Sequence, residues 1–442
     1  MQKDKIIVGL DIGTTKICAI VGKKNEYGKL EILGMGKAVS EGVIRGMVSN
    51  INSTVIAIEK AIKEAEEQSG INIEVVNVGI AGQHIKSSMH HGSITRNNTS
   101  DEITVEDINR LTNDMYKTVM PFGSEIIHVM PQVYTVDYEE GIKDPVGRAG
   151  VRLEADFHVI TAQTNAIANI NKCIQRAGLQ IDNLILEPLA SSQAVLSDEE
   201  KEAGIVLVDI GGGTTDIAIF YDGIIRHTAV IPFGGNIITD DIKKGCMVMQ
   251  NQAEKLKTEF GRALAEEASL NDIVSIKGLR DRAPKEISVK NLANIIQARM
   301  EEIIEMVHSE IICSGYDGRL AGGIVITGGG AQLQYSKQLF ELMTGMEVRI
   351  GYPNEHLGKS KIELVKNSPM YATSVGLVLS GFRALDDREN KYMEMGGATI
   401  NLHNDKQEKS KPKIEGGIFQ FRKILDKTKG LLMDDIDDSK DY

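Results

Sequence analysis

The chain has 442 residues, 42% of them apolar, and a formal net charge of −12. That length exceeds one simple core and predicts two domains or more, while the acidic balance excludes general nucleic-acid binding, which needs a basic face. The cysteines Cys18, Cys173, Cys246 and Cys313 lie far apart with no C-x-x-C pair, and read as buried free thiols in a reducing cytosol.

In chain order, the first residues do not read as a signal peptide, and no stretch reaches membrane-spanning length, so a cytoplasmic protein is expected. Ile6-Ile7-Val8-Gly9-Leu10-Asp11-Ile12-Gly13-Thr14-Thr15-Lys16-Ile17 is an apolar strand, a tight glycine turn and a second strand. Lys29 to Val39 extends the sheet. Ile51 to Ser69 carries Ile51, Val55, Ile58 and Ile62 at helical spacing until Gly70 ends it. Residues 75–82 form a buried strand. From Gln83 to Gln163 an α+β block is inserted, with strand-like runs at 125–130 and 132–137. Its helix, near Thr104 to Tyr116, has a start that Thr104 and Asp107 cap.

The first pattern then returns as Val206-Leu207-Val208-Asp209-Ile210-Gly211-Gly212-Gly213-Thr214-Thr215-Asp216-Ile217. It is strand–turn–strand, unlike the strand–loop–helix of a P-loop, and G-x-x-x-x-G-K-[ST] occurs nowhere. Helices are predicted near Asp240–Met247, Ala253–Ala268 and Asn291–Ser314. A third glycine cluster stands at Gly322-Gly323-Ile324-Val325-Ile326-Thr327-Gly328-Gly329-Gly330-Ala331.

Glycine turns can converge backbone N–H groups on phosphate oxygens. The two hairpins, about half a chain apart, suggest similar domains facing one nucleotide. Gly13, Thr14 and Thr15 would cradle one side of its phosphates, and Gly211, Gly212, Gly213, Thr214 and Thr215 the other. Asp11 and Asp209 end the central strands, where a ligand crevice is expected. Magnesium keeps most of its waters, so they would hold it through water. Lys16 either reaches a phosphate or, by strand alternation, points away. The histidines His84, His90, His91, His128 and His227 show no metal-binding spacing and read as structural.

Together the three glycine clusters resemble the phosphate-1, phosphate-2 and adenosine motifs of the superfamily of actin, sugar kinases and heat-shock chaperone ATPases. Within it, Ile80-Ala81-Gly82-Gln83-His84-Ile85-Lys86-Ser87-Ser88, His128-Val129-Met130-Pro131-Gln132 and Gly141-Ile142-Lys143-Asp144-Pro145-Val146-Gly147 resemble the FtsA family of bacterial cell-division proteins. So do Gly150-Val151-Arg152-Leu153-Glu154, Leu186-Glu187-Pro188-Leu189-Ala190-Ser191 and Arg226-His227-Thr228-Ala229-Val230-Ile231-Pro232. The similarity runs to about Arg383.

The resemblance implies an actin-like (ribonuclease-H-like) two-domain α/β ATPase fold. Subdomain IA would comprise 1–82, 163–203 and 372–383, the inserted IC 83–162, IIA 204–234 and 312–371, and IIB 235–311. It implies ATP with magnesium and at most weak hydrolysis, with Glu187 orienting the attacking water; on the residues alone Glu187 is equally a helix-capping carboxylate at a hinge. Gly235, Glu254 and Lys257 would contact ribose and base, with Gly328, Gly329 and Gly330 opposite; otherwise Glu254 and Lys257 are a solvated ion pair. Subdomain IIB would receive the C-terminal peptide of the tubulin-like protein FtsZ. Arg299, Glu301 and Glu302 are candidate contacts there, or ordinary helix-surface charges.

Residues 384–417 read as a flexible linker. Beyond it, Ile418, Phe421, Ile424, Leu425, Leu431 and Leu432 share one arc at helical spacing over 418–433. Arg422, Lys423, Lys427 and Lys429 fall elsewhere, while Phe419 and Met433 are off the arc. Such a helix suits the interface of an anionic membrane; the alternative is docking on the protein's own core or a partner groove. Residues 434–442 are an acidic tail that opposes attachment. The expectation is thus a peripheral protein on the inner face of the cell membrane at the division septum. It would polymerise with itself, tether FtsZ filaments of the Z ring there and contact other division proteins. A sugar- or acetate-type kinase, a peptide-binding chaperone or another actin-like filament protein are the alternatives.

Overall fold

The fold is described from a computed structural model covering residues 5–96, 102–278, 283–354, 356–358 and 362–394. The chain opens with β1 (Ile6–Ile12), β2 (Lys16–Lys24) and β3 (Leu30–Val39), a short hairpin of β4 (Val43–Ile44) and β5 (Met47–Val48), α1 (Ile51–Ser69) and β6 (Val75–Ile80). Asn50 caps α1 through the Ser53 N–H, and Gly70 ends it in the left-handed conformation, as the sequence predicts. Ala57, Ile58, Ala61, Ile62 and Ala65 of α1 are buried. Gly34 and Gly36 on β3 leave the backbone of Ala61 and Ala65 room to approach, where side chains would collide.

An inserted layer follows: β7 (Lys86–Thr95), α2 (Val105–Tyr116), β8 (Ser124–Val136), β9 (Glu139–Ile142) and β10 (Arg152–Gln163), in sheet order β7-β10-β8-β9. Thr104 and Asp107 form the expected capping box of α2. The two runs on either side of Pro131 are one strand. The register slips opposite Pro131 and Val133, leaving Gln132 as the extra residue, and a bulge accommodates a proline that cannot donate to the ladder.

The first lobe resumes with α3 (Thr164–Arg176), β11 (Gln180–Leu186), α4 (Glu187–Val195) and α5 (Asp198–Ala203). The second lobe contains β12 (Ile205–Ile210), β13 (Thr215–Tyr221), β14 (Ile224–Ile231), α6 (Gly235–Gly245), α7 (Gln250–Phe260), β15 (Ile273–Ile276), β16 (Lys285–Ser288), α8 (Val289–Cys313), β17 (Ile324–Thr327), α9 (Ser336–Thr344), β18 (Val348–Ile350) and α10 (Glu363–Lys366). Last is α11 (Ala372–Glu394).

The two main sheets share one topology. The orders are β11-β6-β1-β2-β3 and β14-β13-β12-β17-β18. In each, the first three strands in sequence pair antiparallel and the remaining two add in parallel beside the first. The central strands are buried on both faces, which is why they read as unbroken Val/Ile/Leu runs.

Several expectations need correction. α6 starts at Gly235, five residues before the predicted start. α7 ends at Phe260 instead of continuing to Ala268, because Arg262 leaves the helix to bridge Gln334 and the Ala263 N–H donates to the Gln334 carbonyl. The β15–β16 hairpin lies where no strand is predicted. Residues 384–394, read as linker, continue α11: Asp386 pairs with Lys24, Glu389 with Lys5 and Arg388 with Asp182. Cys18, Cys173 and Cys246 are buried as expected, but Cys313 is exposed at the end of α8. The rest of the predicted linker, the amphipathic stretch 418–433 and the acidic tail lie outside the described residues.

Candidate nucleotide site

The two glycine turns meet face to face. A Cβ on Gly212 would stand 2.6 Å from Thr15 Oγ1, and one on Gly213 2.6 Å from Thr14 Oγ1. Each turn is closed by its own backbone: the Gly13 N–H donates to the Lys16 carbonyl (3.0 Å) and the Gly211 N–H to the Thr214 carbonyl (2.9 Å). The Thr14 hydroxyl accepts from the Gly46 N–H at 3.1 Å, and the Thr215 hydroxyl donates to the Phe233 carbonyl at 2.9 Å.

Behind the turns is a group of buried charges. Asp11 ends β1 and accepts from Lys16 Nζ at 3.1 Å and from the Ser374 hydroxyl at 3.0 Å. Lys16 therefore points into the site, 5.2 Å from the centre of the Tyr371 ring. Burial alone would pull its ammonium down, but Asp11 holds it above the ordinary lysine value. Asp209 ends β12 and accepts from the hydroxyls of Ser191 (2.7 Å) and Thr373 (3.1 Å); burial raises its carboxyl despite these bonds. Glu187 opens α4, and burial plus the charges of Asp11, Asp216 and Asp209 push it well above the carboxylate range.

One member escaped the sequence reading. Asp216 lies directly across the hairpin from Asp209, and burial plus the Asp209 charge push it up to about 7. It accepts from the Thr214 hydroxyl at 2.9 Å, while its Oδ1 is buried without a partner. The signal was an Asp seven residues after Asp209, the spacing that pairs two residues across this turn. The matching position of the first hairpin, opposite Asp11, holds Cys18. Ser191, Tyr371, Thr373 and Ser374 lie in segments that resemble the superfamily's connecting segments, but their contacts with Asp209, Lys16 and Asp11 were not predicted, because these depend on where α4 and α11 cross.

The buried acids offer hard-oxygen donors of the kind magnesium takes, one of them with an unpartnered carboxylate oxygen. Among the described residues no three His, Cys, Asp or Glu side chains stand so as to hold a metal by themselves. A cation here would draw on waters and phosphate oxygens as well as Asp11 and Asp209.

The residues predicted for ribose and base adjoin the second turn. The Gly235 and Asn236 N–H groups donate to the Gly211 and Gly212 carbonyls (2.9 and 2.8 Å), seating the start of α6 on that turn. Lys257 Nζ reaches the Gly235 carbonyl (2.9 Å), Thr239 Oγ1 (2.8 Å) and Glu254 (2.8 Å), and Thr239 donates to Glu254 at 2.5 Å. This is a built network, not a solvated pair. Gly328 has φ +83° and lies against Asp209 and the Ile210 carbonyl, where a Cβ would collide; Gly330 packs on Ile210, and Gly329 faces open space. Arg299, by contrast, is tied to Asp241 of α6 at 2.6 Å and to Glu302, and Glu301 accepts from Gln297 at 2.7 Å. These contacts tie α8 to α6 and neighbouring turns of α8 to each other.

Twin sheets of this topology, glycine hairpins that oppose each other at their carboxyl ends and a sheet inserted in the first lobe define a two-lobed, actin-like protein. The solved structure of a PilM–PilN type IV pilus biogenesis complex has the same fold, with a TM-score of 0.63 at 15% identity over 85% of this chain and 98% of that one. Residues 206–376 match the family "Cell division protein FtsA", and residues 82–161 match "SHS2 domain inserted in FTSA". The chain is 42% identical over 406 residues to cell division protein FtsA of Pseudomonas aeruginosa, covering 92% of this chain and 96% of that protein. It is 39% identical to its counterpart in Neisseria meningitidis, over 85% and 90% of the two chains. This chain belongs to the FtsA family of cell division proteins, which sets aside the kinase and chaperone alternatives.

Proposed function

We propose that this protein binds ATP with magnesium between its two glycine turns, polymerises beneath the cytoplasmic membrane and tethers FtsZ filaments there through residues 418–433. The observation that carries the nucleotide reading is the meeting of Gly212 with Thr15 and Gly213 with Thr14 in front of buried Asp11, Asp209 and Asp216. Asp11 and Asp209 would hold the cation, the turns the phosphates, and Gly235, Glu254 and Lys257 the nucleoside. A bound cation would supply the positive charge that these acids lack. Lys16 balances Asp11, and Glu187, raised by burial and then by its acidic neighbours, would orient a water. In this reading α8 and its neighbours in IIB receive the FtsZ peptide, Arg299 and Glu302 among them.

The tethering reading rests on the amphipathic pattern of 418–433 in the sequence. No helix among the described residues is long and apolar enough to cross a membrane. Flotation on anionic liposomes with ATP, comparing the full chain with one ending at Gly417, tests it. Loss of flotation on truncation supports the tether; equal flotation of the two overturns it.

A further inference from the structure

His128 lies in the inserted sheet, on β8, yet its Nε2 accepts the backbone N–H of Leu186 at 3.0 Å. Leu186 is the last residue of β11 and the N-cap of α4, whose first residue is Glu187. That cap has no side-chain hydrogen bond of its own, so the histidine from another layer fastens this corner. β9 pairs with β8 through Tyr134 and Val136, at the far end of the strand from His128, and β8 also touches β11. Burial pushes the imidazole down to about 4, so the ring is neutral and its nitrogen stays an acceptor. The inserted sheet also reaches the second lobe, where the Ser87 hydroxyl donates to the Thr228 carbonyl (3.2 Å) and His158 Nε2 bonds the Thr228 hydroxyl (3.2 Å).

We infer that His128 is a positioning residue of the nucleotide site: by accepting the Leu186 N–H it sets the start of α4 and hence the Glu187 carboxyl. The inserted sheet is then bonded directly to the residue that precedes Glu187. The inference rests on Glu187 orienting the attacking water. A displacement of about 1 Å at such a group lowers turnover without removing the nucleotide's own contacts.

The test uses the full chain with magnesium–ATP and compares His128→Phe, His128→Gln and Glu187→Gln. Phosphate release, affinity for a fluorescent ATP analogue and hydrogen exchange at the Leu186 amide are measured. Glu187→Gln should lose about 10²-fold in turnover. His128→Phe should lose about tenfold, keep nucleotide affinity within about twofold and expose the Leu186 amide to exchange. His128→Gln, which retains an acceptor, should recover most of both, and His128→Phe should add nothing in the Glu187→Gln background. If Glu187→Gln loses turnover while His128→Phe turns over like wild type, the His128 inference is overturned and the Glu187 reading stands. Loss of nucleotide affinity in both His128 variants also overturns it, since that marks a general structural role. If wild type and Glu187→Gln release phosphate equally, the Glu187 reading falls and takes this inference with it.

Discussion

Gly376 on α11 lies against the Ala190 carbonyl oxygen on α4, with no room between them for a methyl group. These helices cross where the lobes join, and their neighbours on the same turns, Ser191, Thr373 and Ser374, are the hydroxyls that hold Asp209 and Asp11. Gly376→Ala should push the helices apart and cost about 1–3 kcal/mol. Urea unfolding without nucleotide measures this, and a wild-type midpoint would refute the close crossing.

Lys16→Met removes the cation bonded to Asp11. Breaking a buried pair costs about 3–5 kcal/mol, because the remaining charge has no compensation. The thermal midpoint of the nucleotide-free variant should fall well below that of wild type. Magnesium–ATP should recover a larger part of its midpoint than it adds to wild type. Equal midpoints without nucleotide would show that the Asp11 charge is balanced elsewhere.

Asp216 gives a pH dependence of defined sign. Its folded pKa of about 7 lies above that of an unfolded aspartate, near 3.9. Between those values the folded chain holds a proton that the unfolded chain releases, so stability falls as pH rises and stays lower above 7. Asp216→Asn should therefore exceed wild type in thermal midpoint at pH 8 without nucleotide. The advantage should shrink toward pH 4. Melting curves across that range check this, and a gap that widens on acidification contradicts it.

Lys257 ties α7 to the start of α6 through the Gly235 carbonyl, Thr239 and Glu254. Lys257→Ala should weaken ATP about tenfold, the loss of one charge-assisted hydrogen bond. Titration with a fluorescent analogue measures this, and unchanged affinity would place the nucleoside elsewhere.

What the sequence disclosed was short-range. The hairpin turns, the Thr104–Asp107 cap and the Gly70 stop each lie within a few residues of one another, so spacing sufficed. The duplicated Asp-Ile-Gly turns announced two similar lobes because each carries its own strand signal. Distance hid the rest. Asp386, Arg388 and Glu389 look like linker charges until Lys24, Asp182 and Lys5 are brought beside them by the fold. Lys16 was undecidable by strand alternation, since Tyr371 and Ser374, which surround it and Asp11, come from the far end of the chain. The neutral His128 was indistinguishable from any core histidine, because its partner is a backbone amide 58 residues away.

Under the proposed tether, membrane attachment should depend on how many copies stand side by side. Arg422, Lys423, Lys427 and Lys429 each contribute about 1 kcal/mol near an anionic leaflet, and the apolar stripe adds more. Asp434, Asp435, Asp437, Asp438 and Asp441 follow immediately and oppose it. One tail on those terms should bind weakly and reversibly, whereas neighbours in a polymer would rebind at high effective concentration. Binding to anionic liposomes should thus rise sigmoidally with protein concentration at fixed lipid and magnesium–ATP. Raising salt should shift the rise to higher protein, since charge screening weakens each contact. A hyperbolic isotherm with tight binding at concentrations where the chain is monomeric would mean that one tail is anchor enough, and that assembly does not control attachment.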